Sequence, residues 1–474
     1  MKKILFIEFW NIAPHFHTAL EIAKNHLDAG DKVFFYFAGH DTPYIEDLNV
    51  VIGKNNYKNL LPEIVGAKLL KSNNFYFYPR CKFTNTKYLY PKYFKNINEL
   101  MGFQYKGVNL GEFISSSLIS DLKNSNPDTV LYKSTIIKML ISAIKIFEFT
   151  LKKINQHKID RVYVFNGRFC NSGAVAQAAQ FLNCELYFHE RGATKEKYFL
   201  ENFMPHDTIK MQNLMIQTWK NAIRENSQEA IKTARKFFID SKDKKEIGWI
   251  ALNKNQHSGL IPNLDNSKKN ITYFSSCDDE FAALPHLLPW KFWNNQMDAV
   301  LDLIDICKNN PNISLYIRLH PHLGQKSNED LQKWLNLSRF KHVNIISPFE
   351  AIDSHKLAAE SALVITSGST MGIESVFQGT PCIVLGPSFY SELNATYHPE
   401  SKAQLIKLMN AKLEAVPTKT YPFGYFYMTF GSSFNFFEPI DLFSGTFLNN
   451  TLLDEIPKPT LIDKIFKFFL AKPK

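Results

Sequence analysis

The chain opens with an apolar run, Lys3 to Phe9 (KILFIEF), followed by a polar turn, an amphipathic stretch from His17 to Ala29 that stops at Gly30, and a second run from Lys32 to Phe37. Short apolar runs bounded by turn residues predict buried strands, and a 3.6-residue recurrence predicts a helix, so the order is strand, helix, strand. Residues 40–130, rich in Asn, Lys and Tyr, predict loops and short helices. Regularity returns with a helix over about Thr135 to Gln156, a strand from Arg161 to Phe165, a helix from Ser172 to Leu182 with the small-residue face AVAQAAQ, and a strand from Glu185 to His189. From about Thr208 to Asp243 the pattern is helical and charged, whereas Ser241 to Ser267 is polar and rich in breakers, which marks a linker.

A second series follows: strand Ile271 to Phe274, helix Gln296 to Lys308, strand Ser314 to Leu319, helix Glu329 to Leu335 and strand Val343 to Ile346. It continues with a helix near His355 to Glu360, strand Leu363 to Thr366, a helix from about Met371 to Gln378 and strand Pro381 to Leu385. Strand and helix alternating in this way predict an α/β protein with two Rossmann-like, doubly wound domains facing a cleft. The expected boundaries are 1–245 for the first domain, 246–270 for the linker, 271–440 for the second domain and 441–474 for a C-terminal helical tail.

Composition narrows the function. The 474 residues hold 45 % apolar and 21 % charged residues with Gly 20 and Pro 22, as in a folded globular chain. The net charge of +10 is a lysine balance, since only eight of the 55 basic residues are Arg. Arg is the residue of bidentate base and phosphate recognition, and the lysines are scattered rather than striped, so a nucleic-acid partner is not expected. The six cysteines show no CxxC spacing and sit mostly inside apolar runs, which predicts neither a disulfide nor a metal framework and fits a reducing, cytoplasmic setting. The apolar start is broken at Glu8 and lacks a small-residue cleavage site, and no window reaches 18 uncharged apolar residues, so neither a signal peptide nor a membrane span is expected.

Parallel sheets present functional residues at the carboxyl ends of their strands. In the second half, RLHPH (Arg318 to His322) brings a guanidinium and two imidazoles to one strand end, and TSGSTMGIES (Thr366 to Ser375) brings hydroxyls and glycines to another, where a helix begins. Free N–H groups, hydroxyls and glycines suit a phosphate, and Glu374 one turn on would accept from the hydroxyls of a ribose. The alternative is an ordinary helix cap at Ser369 or Thr370 with a structural Arg318. Ser275 and Ser276, in SSCDDEF, are further phosphate contacts, and the acidic trio after them is either part of the site or a solvated helix start.

RLHPH followed by VITSGSTMGIESVFQGTPCIVLG resembles the donor half of GT-B glycosyltransferases, in particular bacterial capsular polysaccharide biosynthesis enzymes that include Kdo transferases. The same features are similar to HP-motif sialyltransferases and teichoic-acid glycerophosphotransferases. The resemblance covers about residues 271–387 and implies that His320, Ser369 and Thr370 hold the phosphate of a nucleotide donor and Glu374 its ribose; Arg318 and Ser367, from the same two segments, are further donor-side candidates. It implies no cofactor and no metal, and no DxD-like metal site is visible on a strand end.

The first half is then expected to bind the acceptor and supply the base. His15 matches the position where related enzymes place a histidine against the acceptor, although the glycine-rich segment before it is replaced by Asn11 to Pro14; His17 competes for the role. FNGR (Phe165 to Arg168) and HERG (His189 to Gly192) end two strands with polar residues, so Asn166, Arg168 and Arg191 are expected to line the acceptor side, with Glu190 the alternative base. A buried ion pair between Glu190 and Arg168 is the structural alternative. PHD (Pro205 to Asp207) is a weaker further loop.

Tyr421 to Phe437 holds nine aromatics in 17 residues, and Leu461 to Lys474 interleaves Lys with Leu, Ile and Phe, a pattern for contact with the inner face of a membrane or for a helix packed back on the first domain. The reading is an inverting, metal-independent glycosyltransferase that takes a nucleotide-sugar, CMP-linked acidic first and UDP-linked next, to an oligosaccharide or lipid-linked glycan acceptor. The alternatives are a CDP-glycerol or CDP-ribitol phosphotransferase, a non-catalytic nucleotide-sugar-binding partner of an assembly complex, and an epimerase of the related two-domain fold.

Overall fold

The structure is a computed structural model that describes residues 1–10, 12–39, 41–45, 66–83, 91, 93–248, 253–325 and 328–451. It divides into two compact units. The first holds Met1–Leu122, Pro127–Pro205 and Gly431–Lys474; the second holds His206–Phe430 with Lys123–Asn126.

In the first unit, β1 (Lys3–Glu8), α1 (His15–Asp28), β2 (Lys32–Phe37) and β3 (Phe75–Tyr78) are followed by α2 (Gly111–Leu122), α3 (Lys133–His157), β4 (Arg161–Phe165), α4 (Cys170–Phe181), β5 (Glu185–Arg191) and β6 (Lys197–Glu201). The sheet order is β3-β2-β1-β4-β5-β6, parallel from β3 to β5, with β6 antiparallel at the end. Strand order therefore reverses beside β1, and the crevice of this switch point lies at the carboxyl ends of β1 and β4. Stacked rings fill the sheet face: Phe6 lies 5.2 Å from both Phe35 and Tyr163.

The second unit begins with α5 (Thr208–Lys242), capped by Asp207, whose carboxylate accepts the Lys210 N–H, and kinked at Asn226. Next come β7 (Lys269–Phe274), α6 (Gln296–Lys308), β8 (Ile313–Arg318), α7 (Asn328–Leu335), β9 (Val343–Ile346), α8 (Ser354–Ala359), β10 (Leu363–Thr366), α9 (Met371–Phe377), β11 (Cys382–Val384), α10 (Lys402–Asn410) and α11 (Tyr421–Thr429). All five strands are parallel in the order β9-β8-β7-β10-β11, the same wiring as in the first unit. The unbroken apolar runs of the sequence are buried on both faces, as central parallel strands require. Ile271, Leu315, Ile317, Ile365 and Ile383 form the core with Val300, Leu303 and Ile304 of α6. Burying each such side chain contributes roughly 1.5–3 kcal/mol.

Two expectations about organisation differ from the structure. Helix α5 falls in the second unit rather than the first, because its apolar side packs on α11: Phe237 lies 5.5 Å from Phe423 and Trp219 lies 5.7 Å from Tyr425. Gly424 permits this approach, since a Cβ there would come within 2.3 Å of the Ala234 carbonyl oxygen. The aromatic run is also shared between units. After α11 the chain rejoins the first unit, where Ser432–Ser433 pairs with β6 and Phe434 and Phe437 pack at 4.9 Å. The fully buried Glu21 of α1 anchors this return, accepting the backbone N–H of Asn435 at 2.8 Å, Phe436 at 2.9 Å and Phe437 at 3.1 Å. Phe437–Pro439, Gly445–Phe447 and Asn450–Thr451 then form a small antiparallel sheet. The stretch Leu461 to Lys474 lies outside the described residues. Among the described residues no helix is long and apolar enough to cross a membrane.

Candidate functional site

Register builds the second unit's site. Phe274, the last residue of β7, pairs with Arg318 of β8 on one side and Thr366 of β10 on the other, so the residues that follow the three strands emerge side by side at the switch point. There a pocket of about 140 Å³ is lined by Ser275, Arg318, His320, Ser369, Thr370 and Glu374, six of the residues that the sequence assigns to the donor.

Each is held differently. The His320 backbone N–H donates to Ser275 Oγ at 2.8 Å, which ties the ends of β7 and β8 together. The Ser369 N–H donates to Thr366 Oγ1 at 3.0 Å and its own hydroxyl accepts from the Met371 N–H at 3.3 Å, so Ser369 shapes the first turn of α9 while Thr370 stays exposed. Gly368, with φ +123°, makes the turn before it; a Cβ there would come within 2.1 Å of the Pro387 carbonyl oxygen. Glu374 is buried, and its Oε2 accepts the Ser241 hydroxyl at 2.7 Å and lies 3.5 Å from His355 Nε2. Gln378 donates to His355 Nδ1 at 2.8 Å, which leaves the His355 proton on the nitrogen facing Glu374.

Three donor-side expectations are corrected. Arg318 is only 3 % exposed and uses both terminal nitrogens on backbone carbonyls, Nη1 on Ser347 and Nη2 on Glu350 at 2.9 Å. It braces the 347–350 loop, as the structural alternative had it, and only its Nε lacks a hydrogen-bond partner. Burial lowers its pKa, countered by Glu350. Ser367 and Ser276 are buried and line no part of the pocket. Gln296 fixes both: its Oε1 accepts from the Tyr273 hydroxyl at 2.9 Å and from the Ser276 N–H at 2.7 Å, so Tyr273, with its one proton spent, accepts from Ser367 at 2.7 Å.

Sequence reasoning missed Ser241, Lys245, Asn253, Gln256 and His355, which also line the pocket. Four of them lie in the polar stretch assigned to a linker, where the only available signal was an excess of side-chain donors and acceptors. Asn253 donates to the Ser241 carbonyl at 2.9 Å and Gln256 accepts the Ser354 N–H at 2.9 Å, so the stretch is tied into the second unit.

The first unit's switch point gathers the acceptor-side candidates. His15 Nδ1 lies 3.4 Å from Glu190 Oε1, while Glu190 Oε2 accepts from Asn166 Nδ2 at 2.6 Å and Oε1 from the Arg191 N–H at 3.0 Å. Asn166 adopts φ +59°, a left-handed turn that Asn tolerates. Burial, followed by Arg191, His189 and His17, pushes the His15 pKa well below its ordinary value, so the ring is neutral. A pair absent from the expectations lies beside it: buried His189 Nε2, 3.4 Å from Glu8 Oε1.

The other first-unit candidates make contacts within their own unit. His17, expected to bind acceptor, is 1 % exposed, packs 4.6 Å from Phe437 and has no hydrogen-bond partner on either ring nitrogen; burial lowers its pKa to about 3. Arg168 donates to Ser120 at 2.8 Å and Ser116 at 3.2 Å of α2 and does not form the ion pair with Glu190 that the sequence offered. Arg191 lies over the Phe443 ring at 4.4 Å.

Similarities to known proteins run as follows. The KpsC β-Kdo 2,4-transferase of Thermosulfurimonas dismutans is 15 % identical with a TM-score of 0.35, covering 56 % of this chain and 78 % of its own. The β-Kdo 2,7-transferase of the same protein is 14 % identical with a TM-score of 0.34, covering 58 % and 79 %. UDP-GlcNAc 2-epimerase of Methanocaldococcus jannaschii is 12 % identical with a TM-score of 0.27, covering 89 % and 98 %. A comparison with curated proteins gives no match. Residues 292–427, which carry Arg318, His320, Ser369, Thr370 and Glu374, match the family described as capsule polysaccharide biosynthesis protein, and across the stretch that builds most of the pocket this chain is similar to that family.

Proposed function

We propose that this protein transfers a sugar from a nucleotide-activated donor to a growing surface polysaccharide, with the donor's nucleotide in the second unit's pocket. The observation that carries this reading is the convergence of His320, Ser369, Thr370 and Glu374 on one pocket at a switch point, within the stretch that matches the capsule family. Such crevices are where parallel α/β sheets take nucleotides. In this reading the His320 imidazole and the hydroxyls of Ser369 and Thr370 face the donor's phosphate and stabilise the charge that develops on it as the glycosidic bond breaks. Glu374, positioned by Ser241 and His355, accepts from the ribose hydroxyls.

Attack by an acceptor hydroxyl on the anomeric carbon, with the nucleotide leaving from the opposite face, inverts the configuration. His15, neutral at pH 7 and beside Glu190, is the group assigned to take the hydroxyl proton. A CMP-linked acidic sugar is the favoured donor, from the resemblance of RLHPH and VITSGSTMGIESVFQGTPCIVLG to enzymes that include Kdo transferases. A UDP-linked sugar is the next choice. The test is a thermal-shift screen of the full chain against CMP, CDP, UDP, GDP and their sugars, since a ligand at 100 Kd raises stability by about 2.7 kcal/mol. The reading expects one nucleotide class to raise Tm in the wild type and not in Glu374→Ala; no response to any of them would overturn it.

A further inference from the structure

We infer that the second unit carries a binding site for a soft divalent metal, zinc being the reference case, formed by Cys277, His320 and His322. These residues come from two strand ends, Cys277 three residues past β7 and the two histidines just past β8. Their ligand atoms, one from each side chain, all lie within 4.8 Å of one another. Cys277 Sγ is 3.3 Å from His320 Nδ1. A tetrahedral zinc with bonds of about 2.3 Å to sulfur and about 2.0–2.1 Å to nitrogen holds S and N about 3.5 Å apart, so this pair needs only a small adjustment to chelate.

Three further features favour a metal. The His320 Nδ1 accepts the His322 backbone N–H at 3.3 Å, so this nitrogen is the unprotonated one, as ligation requires. The backbone is preset as well: the Ser275 hydroxyl holds the His320 N–H, and Pro321–Gln325 forms a 3₁₀ turn that returns the His322 ring to 5.0 Å from the His320 ring. The ligand chemistry is selective, because one thiolate and two imidazoles suit zinc, cobalt(II) or copper and disfavour magnesium or calcium, which take oxygen. Among the described residues no other His, Cys, Asp or Glu group has this closeness. Three protein ligands leave one tetrahedral position for a ligand from outside the trio, the arrangement of zinc sites that exchange ligands rather than purely structural ones. The assignment departs from the expectation, drawn from cysteine spacing and from the family resemblance, that the chain holds no metal; the trio is assembled by two strand ends rather than by a local motif.

The test uses the full chain, stripped with a chelator and kept free of nucleotide. Cobalt(II) should bind one equivalent and give a thiolate-to-cobalt charge-transfer band in the near ultraviolet, and zinc should displace it. Cys277→Ser should remove the band. His322→Ala, at a half-buried position, should retain the band and weaken zinc binding by at least ~10-fold. Cys307→Ser, in the core of the same unit, should change neither. No band in the wild type, a band that survives Cys277→Ser, or unchanged zinc affinity in His322→Ala each overturns the assignment. Because nucleotide plays no part in this experiment, its failure leaves the sugar-transfer reading standing, and failure of the nucleotide screen leaves the metal site standing.

Discussion

The two units share one wiring, in which strand order reverses beside the first strand, yet their switch points end differently. In the first unit the carboxyl ends of β1 and β4 are closed by Trp10, Phe165 and Phe169 around a void of about 10 Å³. In the second unit the corresponding ends open on a cavity of about 140 Å³. Since ~10–15 Å³ admits one water, the first void is water-sized and the second has room for a larger group. The cause is local: Phe-Trp follows β1, whereas Ser-Ser-Cys follows β7. Topology provides the place, and the first few residues after each strand decide whether it stays open.

Substitutions in the two units separate these roles. His320→Ala should lower turnover by ~10²–10³-fold, the effect of removing one preorganised donor to a developing charge, while circular dichroism remains that of the wild type. Turnover near wild type would move the chemistry away from the open switch point. In the first unit, Glu21→Ala leaves three backbone N–H groups near the return strand without an acceptor and should cost ~3 kcal/mol in denaturant unfolding at unchanged nucleotide affinity. Glu374→Gln should weaken nucleotide binding by ~10-fold in calorimetry, as for one hydrogen bond to a charged group, with little change in kcat at saturation.

The smallest effect is the most discriminating. His17 titrates near 3 in the fold and at its ordinary 6.5 when unfolded, so between these values the unfolded chain binds the extra proton and stability falls as pH falls. The slope from this group alone is ~1.4 kcal/mol per pH unit within that window and vanishes above it. His17→Leu should therefore flatten the acid limb of the stability curve, raise stability at pH 7 by ~1 kcal/mol through loss of a buried unpaired polar group, and retain activity. A loss of turnover would restore His17 to the acceptor side.

Much of this was legible because strands and helices have different periods. The runs Lys32–Phe37, Arg161–Phe165, Val343–Ile346 and Leu363–Thr366 are strands over the expected residues, and Gln296–Lys308 is the expected helix. Linker and domain assignments were less legible. Polarity marks both a solvated connection and a pocket wall, so 241–256 was indistinguishable from a tether, and the apolar side of α5 does not name the unit that will cover it.

Element order, the parallel strands and the positions of His320, Ser369, Thr370 and Glu374 just past strand ends were readable from the residues alone, because they follow from local periodicity and from the direction of the chain. Which polar groups line the pocket and which are tied up inside the unit depends on long-range packing. Strand register tied the Ser276 backbone to Gln296 and the Ser367 hydroxyl to Tyr273, tied Arg318 to the 347–350 loop, and brought Cys277 to His320 across 43 residues of chain. Pairing of β7 with β8 is a long-range event, and no local pattern encodes which side chains it makes neighbours.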